Sequence, residues 1–169
     1  SDMPGRLEFH TSADGSATAL VRMIIDGNSR ISLSNNDGGT LNTAVGYQAG
    51  NALASGSTEN TIYGHQAGLA LSTGDYNLAI GALALKTEDA GDRSIAIGNS
   101  ALFSQNVNGI SGNVAVGMLS GYYNETGTNN TWVGYSAGFG ATGQSNTHNT
   151  GVGANSLKSI TDGGYNVSL

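Results

Sequence analysis

The 169-residue sequence predicts an all-β chain: a parallel β-solenoid (β-roll) of about seven 17–19-residue coils, preceded by a short β-hairpin region. Three observations point to it. A short phrase first written Asn42-Thr-Ala-Val-Gly46 occurs seven times, its closing glycines (Gly46, Gly64, Gly81, Gly98, Gly117, Gly134, Gly153) spaced 18, 17, 17, 19, 17 and 19 residues apart. Glycine is abundant, 27 residues against one proline, while charged residues make up only 11%, which excludes a helical bundle and a charge-rich disordered chain. The residue before the closing glycine is Val45, Ile80, Ile97, Val116, Val133 or Val152, with Tyr63 the exception. β-branched residues at one fixed phase indicate a short strand in every unit.

Residues 1–40 read as the strand and hairpin region. Gly5-Arg-Leu-Glu-Phe-His-Thr-Ser-Ala-Asp-Gly15, followed by Val21-Arg-Met-Ile-Ile-Asp-Gly27-Asn28, resembles a segment of bacteriophage tail-fibre proteins. The resemblance implies a Gly-Arg-Leu strand and an Arg-Met-x-Ile-Asp strand before a Gly27-Asn28 turn. The boundary falls near Gly38 to Thr40, after Asn35-Asn-Asp-Gly-Gly39. Residues 41–169 form the solenoid. Ser1-Asp2-Met3 reads as a remnant of expression rather than a native start, and Asn166-Val-Ser-Leu169 begins an eighth repeat that stops mid-phrase, as in a fragment of a longer protein.

Within a unit, Thr43, Thr61, Leu78, Ile95, Val114, Thr131 and Thr150 share a strand face with the β-branched residue two positions on. This face is expected to be buried. The position between is mostly small (Ala44, Ala79, Ala96, Ala115, Gly151), broken by Ile62 and Trp132, and is expected to be the face on which another chain packs. Small residues follow three positions after each closing glycine, then Gly50, Gly68, Gly121 and Gly138, or Leu85, Leu102 and Leu157. Glycines at fixed phase mark corners, giving two short strands and two turns per coil. The recurring Asn at the start of each strand suits a turn and can stack on the Asn of neighbouring coils. So thinly furnished a coil buries little by itself, which leads us to expect self-association as a parallel, in-register homotrimer.

The remaining composition narrows the partners. Twelve acidic and six basic residues give a net charge of −6, and Arg6, Arg22, Arg30, Lys86, Arg93 and Lys158 form no stripe, so no nucleic-acid partner is expected. No apolar run is long enough for a helical membrane span, so no membrane insertion is expected. With no cysteine and three scattered histidines, His10, His65 and His148, no metal, cofactor or catalytic triad is expected. Glu88, Asp89 and Asp92 form the densest acidic stretch, which could serve a polysaccharide-cleaving carboxylate pair and reads better as a solvated turn. A calcium β-roll would need a recurring Asp, and a flat ice-binding face would need Thr in every coil, where Leu78, Ile95 and Val114 interrupt.

Aromatic residues are the better lead for a binding site. Trp132, Tyr122, Tyr123, Tyr135 and Phe139 lie close in sequence, and residues about one period apart stack in a solenoid, so Tyr122, Tyr123 and Phe139 are expected to form one ladder. Aromatic faces among Asn and Thr can hold sugar rings. The competing role for Trp132 and its neighbours is to fill the core or an interchain seam.

Asn77-Leu-Ala-Ile-Gly81 and Ser94-Ile-Ala-Ile-Gly98 resemble the head repeat of trimeric autotransporter adhesins, although the period here is longer than that family's unit. The longer form, Asn42-Thr-Ala-Val-Gly46-Tyr-Gln-Ala-Gly50, and the first forty residues are similar to segments of bacteriophage tail-fibre proteins. The resemblance implies a trimeric, non-enzymatic fibre segment of a virion tail, a shaft or receptor-binding region that attaches to a host-surface glycan or protein. The alternative it implies is the head of an adhesin on a bacterial cell surface, and a distant third is a polysaccharide-degrading tailspike.

Overall fold

The computed structural model describes residues 7–12, 18, 20–25, 31–33, 41–54, 56–143 and 145–169. The chain divides into two compact units, Ser1–Asn36 and Asp37–Leu169. In the first, β1 (Leu7–Thr11), β2 (Leu20–Ile25) and β3 (Ile31–Leu33) form an antiparallel sheet in that order. The register shifts between Phe9 and His10, a bulge within the β1–β2 pair. The Gly27-Asn28 turn and the Asn35–Gly39 boundary lie outside the described residues.

The second unit is the solenoid. Its strands are β4 (Thr43–Val45), β5 (Thr61–Tyr63), β6 (Leu78–Ile80), β7 (Gly91–Asp92), β8 (Ile95–Ile97), β9 (Gly109–Ile110), β10 (Val114–Val116), β11 (Thr131–Val133), β12 (Asn146–Thr147), β13 (Thr150–Val152), β14 (Gly163–Gly164) and β15 (Val167–Ser168). Eight of them, β4, β5, β6, β8, β10, β11, β13 and β15, stack in chain order into one parallel sheet. Equivalent repeat positions are paired throughout, so Ala79 meets Ala96 and Ala115 meets Trp132. The second strand of the coil is paired only where β7 meets β9 and β12 meets β14, among the described residues. There is no helix among them either.

The closing glycines are required by this stacking. Each adopts a φ of 116–137°. A Cβ on Gly117 would lie 2.4 Å from the Gly134 carbonyl oxygen, so successive coils touch backbone to backbone at this corner. Two further corners per coil, starting with Gln48 and Gly50, use left-handed backbone. At the second of these Leu85, Leu102 and Leu157 accept φ of 47–51°, a strained choice for a branched side chain, and Leu85 and Leu102 are fully buried there.

The buried strand face is the reverse of the expected one. The middle residues Ile62, Ala79, Ala96, Ala115 and Trp132 are fully buried, whereas the flanking β-branched residues are half-buried or exposed. The reason is the narrow interior. Two walls of one coil close on each other, so Ala79, Ala96, Leu85 and Leu102 share one buried cluster, and a large middle residue is met by glycine. Ile62 lies against Gly50 and Gly68, and Trp132 against Gly121, Gly138 and Gly151. The four glycines at this corner follow from where the two large residues sit. The Trp132 Nε1 is buried without a hydrogen-bond partner, a cost of placing indole here.

Trp132→Ala is expected to lose about 3–5 kcal/mol of stability by leaving a cavity. Gly138→Ala, whose Cβ would lie 2.3 Å from the indole ring, should also destabilise, by about 1–3 kcal/mol through overpacking. Urea unfolding of the two variants checks both, and midpoints equal to wild type would contradict this packing.

Candidate functional site

A column of buried asparagines aligns everything the solenoid displays. Asn60 donates its backbone N–H to Asn42 Oδ1 at 2.9 Å, Asn77 to Asn60 at 2.8 Å and Ser94 to Asn77 at 2.9 Å. Asn130, Asn149 and Asn166 repeat the bond to Asn113, Asn130 and Asn149, each at 2.9 Å. The amide nitrogens reach across the coil to the opposite corner: Asn60 Nδ2 donates to the Gly74 carbonyl, Asn77 Nδ2 to Gly91 and Asn149 Nδ2 to Gly163, at 2.8–2.9 Å. Ser94 is too short to continue this. There Gln105 Nε2 donates to Ser94 Oγ at 2.8 Å, and Asn113 Nδ2 donates to Gln105 Oε1 at 2.8 Å.

The same substitution draws in Glu88, which is fully buried rather than part of a solvated turn. Its carboxylate accepts from Gln105 Nε2 at 2.7 Å and from the backbone N–H groups of Gly91, Asp89 and Val107 at 2.8, 3.1 and 3.2 Å. Burial raises its pKa above the ordinary 4.5, and the hydrogen bonds from Gln105, Gly91, Val107 and Asp89 offset only part of that. The other two acids have separate partners. The Ser72 hydroxyl bonds Asp89, and Asp92 accepts the Asp75 N–H at 2.9 Å. Among the described residues no cluster of three or more His, Asp or Glu could hold a metal.

The five aromatic candidates fall in three places. Tyr122, Tyr123 and Phe139 do meet, and Phe103 joins them. Phe103 stacks on Tyr122 at 4.8 Å and Tyr122 on Phe139 at 5.3 Å, with Tyr123 edge-on to both Tyr122 and Phe139. Lys86 Nζ sits over the outer face of Phe103 at 5.1 Å. Both faces of the Tyr122 ring are therefore occupied, leaving its edge rather than an open sugar-stacking face. Phe103 was legible from spacing, since it follows Gly98 by five residues as Tyr122 and Phe139 follow Gly117 and Gly134. Trp132 is fully buried, so its candidacy as a receptor contact is corrected to a core role. Tyr135 is 47% exposed and makes no ring contact among the described residues. It belongs to the column that follows the closing glycines, in which Tyr47 and His65 stack at 5.6 Å.

The outer face of the eight-stranded sheet is continuous from β4 to β15. Thr43, Thr61, Tyr63, Ile80 and Val152 are exposed on it, and Val45, Leu78, Ile95, Ile97, Val114, Val116 and Val133 are half-buried. An uncovered strip of aliphatic side chains along a whole sheet marks an interaction surface. The chain matches no protein-family model, no curated protein and no solved structure.

Glu88 makes the stability pH-dependent with a definite sign. A raised native pKa means that its stabilising contribution is complete below pH 4.5 and is lost as pH rises through the native value. Lowering the pH from 7 towards 4.5 is expected to stabilise the wild type relative to Glu88→Gln, as read from urea midpoints at several pH values. A difference that stays constant across that range would contradict the assignment.

Proposed function

We propose that the chain is a structural and adhesive fibre segment that assembles as a parallel homotrimer, acting as a shaft or receptor-binding region of a bacteriophage tail fibre in host attachment. The observation that carries this reading is the uncovered sheet face. Its second column is Val45, Tyr63, Ile80, Ile97, Val116, Val133 and Val152, apolar at every level, beside a first column of Thr, Leu, Ile and Val, and the coil's own interior has no room for them. Three copies related by one axis parallel to the stack would cover all three faces and leave none on the outside. The interchain seam is thus the β-branched face, not the small-residue face expected from the pattern alone.

The identity as a tail fibre rests on the resemblance of the repeat and of the first forty residues. Asn77-Leu-Ala-Ile-Gly81 and Ser94-Ile-Ala-Ile-Gly98 favour the second reading, the head of a bacterial trimeric surface adhesin. Both readings place the segment outside the cell, against a glycan or protein receptor. The accessible edges of the Phe103–Tyr122–Phe139 ladder, with Tyr123, are the contact we assign to that receptor.

Light scattering after size exclusion tests the assembly. Three times the 17.0 kDa chain, about 51 kDa, is the mass expected. Ile97→Lys, in the middle of the face, should reduce it to the monomer mass while the β-type circular dichroism is kept. A wild-type monomer would contradict the trimer.

A further inference from the structure

The ladder amides donate to carbonyls at the facing corner of the coil, and those carbonyls belong to Ser57, Gly74, Gly91, Gly127, Asn146 and Gly163. Glycine is common here because an interior residue crowds the corner. That residue stands seven positions after each closing glycine: Leu53, Leu71, Glu88, Gln105, Asn124, Ala141 and Ile160. A Cβ on Gly74 would lie 2.8 Å from Leu71 Cδ1, one on Gly91 2.6 Å from the Glu88 carboxylate, and one on Gly127 2.1 Å from Asn124 Oδ1. Ala141 is the one short member of this interior column, and its coil carries Asn146 at the corner instead of glycine. Ser57, the other side chain in the corner column, donates its hydroxyl to the Gly74 carbonyl at 3.1 Å.

Asn146 is fully buried, and neither its Oδ1 nor its Nδ2 has a hydrogen-bond partner among the described residues. In the preceding coil Asn124 is fully buried too. Its Nδ2 donates to the Gly127 carbonyl at 3.1 Å, which fixes the orientation of the amide and leaves Oδ1 without a donor. The two residues adjoin: the Cβ position on Gly127 that lies 2.1 Å from Asn124 Oδ1 lies 2.0 Å from the Asn146 backbone oxygen. There is also room beside Asn146. A Cβ on Gly140 would meet Asn146 Nδ2 at 3.8 Å, with the Ile160 carbonyl oxygen and Tyr123 Cβ at 3.7 Å and nothing nearer. The other two buried polar side-chain atoms without a partner, Trp132 Nε1 and Ser156 Oγ, stand apart, against Gly121 and Gly151 at opposite ends of the indole.

We infer that Asn124 and Asn146 form an internal binding site for one ordered water. The unpaired groups are two amide oxygens and one amide NH2. A single water donates to both oxygens and accepts from the NH2, and about three bonds is the usual number for a buried water. A metal ion suits the site poorly. It would face the NH2 and find only two neutral side-chain oxygens, where calcium takes roughly six to eight oxygen ligands. The water continues, into the coil of Ala141, the polar interior that Gln105 and Glu88 begin by direct bonding. It links two coils where the interior column has no side chain long enough to do so, and it requires no second chain.

A high-resolution crystal structure of the wild-type chain tests this, together with water NOE spectroscopy in solution. The crystal should show one isolated peak about 2.7–3.2 Å from both Asn146 Nδ2 and Asn124 Oδ1. In solution the Asn146 Nδ2 protons should show a direct NOE to water with the sign of a long-lived complex. Asn146→Leu, which fills a similar volume without a polar atom, should lose the peak while the β-type circular dichroism is kept. Asn124 and Asn146 amides bonded directly to each other, with no peak between them, would overturn the inference. So would a peak about 2.3–2.6 Å from the oxygens, the distance of a calcium ion rather than a water. A wild-type spectrum without the NOE would overturn it whatever the variant does, and a peak that persists in Asn146→Leu would remove Asn146 from the site.

Discussion

The buried asparagine column is the constraint on which the rest of this solenoid depends. Each side-chain oxygen accepts the backbone N–H of the residue one coil on, and each amide nitrogen ties the start of its strand to the opposite corner. Slipping one coil by one residue would strand a buried amide and its carbonyl partners, each costing on the order of 1–3 kcal/mol. Register is therefore enforced inside the coil, by buried groups whose partners all lie in their own or the adjacent coils. Ser94 shows how strictly. Where the asparagine is missing, Gln105 and the buried Glu88 carboxylate supply the missing contacts, even at the cost of holding a carboxylate away from water.

Fixed register turns sequence positions into vertical columns, and the columns divide the work. The interior columns match size between facing walls, with Ile62 and Trp132 each met by glycine. The outward strand columns carry the aliphatic residues that the narrow interior refuses. The aromatic ladder takes another wall, its rings occupied by one another and by Lys86. A slender chain that excludes its own aliphatic residues needs other chains to cover them, and this links the interior packing to the proposed fibre.

Much of this was legible in the sequence. The period, the parallel stacking, the pairing of equivalent positions and the asparagine ladder all follow from one repeated phrase. So does the meeting of Tyr122, Tyr123 and Phe139, which needs only the repeat length. Which strand face points inward was not legible from hydrophobicity, because period two says that Thr43 and Val45 share a face but not which side it is on. Coil width decides that, and the decisive signal lay elsewhere. Ile62 and Trp132 occur only where Gly50, Gly68, Gly121 and Gly138 make room. Glu88 was misleading for a related reason: a charged stretch between strands suggests solvent, yet three backbone N–H groups and one side-chain amide converge on this carboxylate.

Hydrogen exchange of the ladder amides tests the central claim most directly. If the asparagine column holds the coils as one unit, the N–H groups of Asn60, Asn77, Asn130 and Asn149 should exchange together and only through global unfolding, far more slowly than exposed turn amides such as Asn99. Exchange at rates that differ from coil to coil and approach those of the turns would mean that the coils open independently, and the ladder would not be what sets the register.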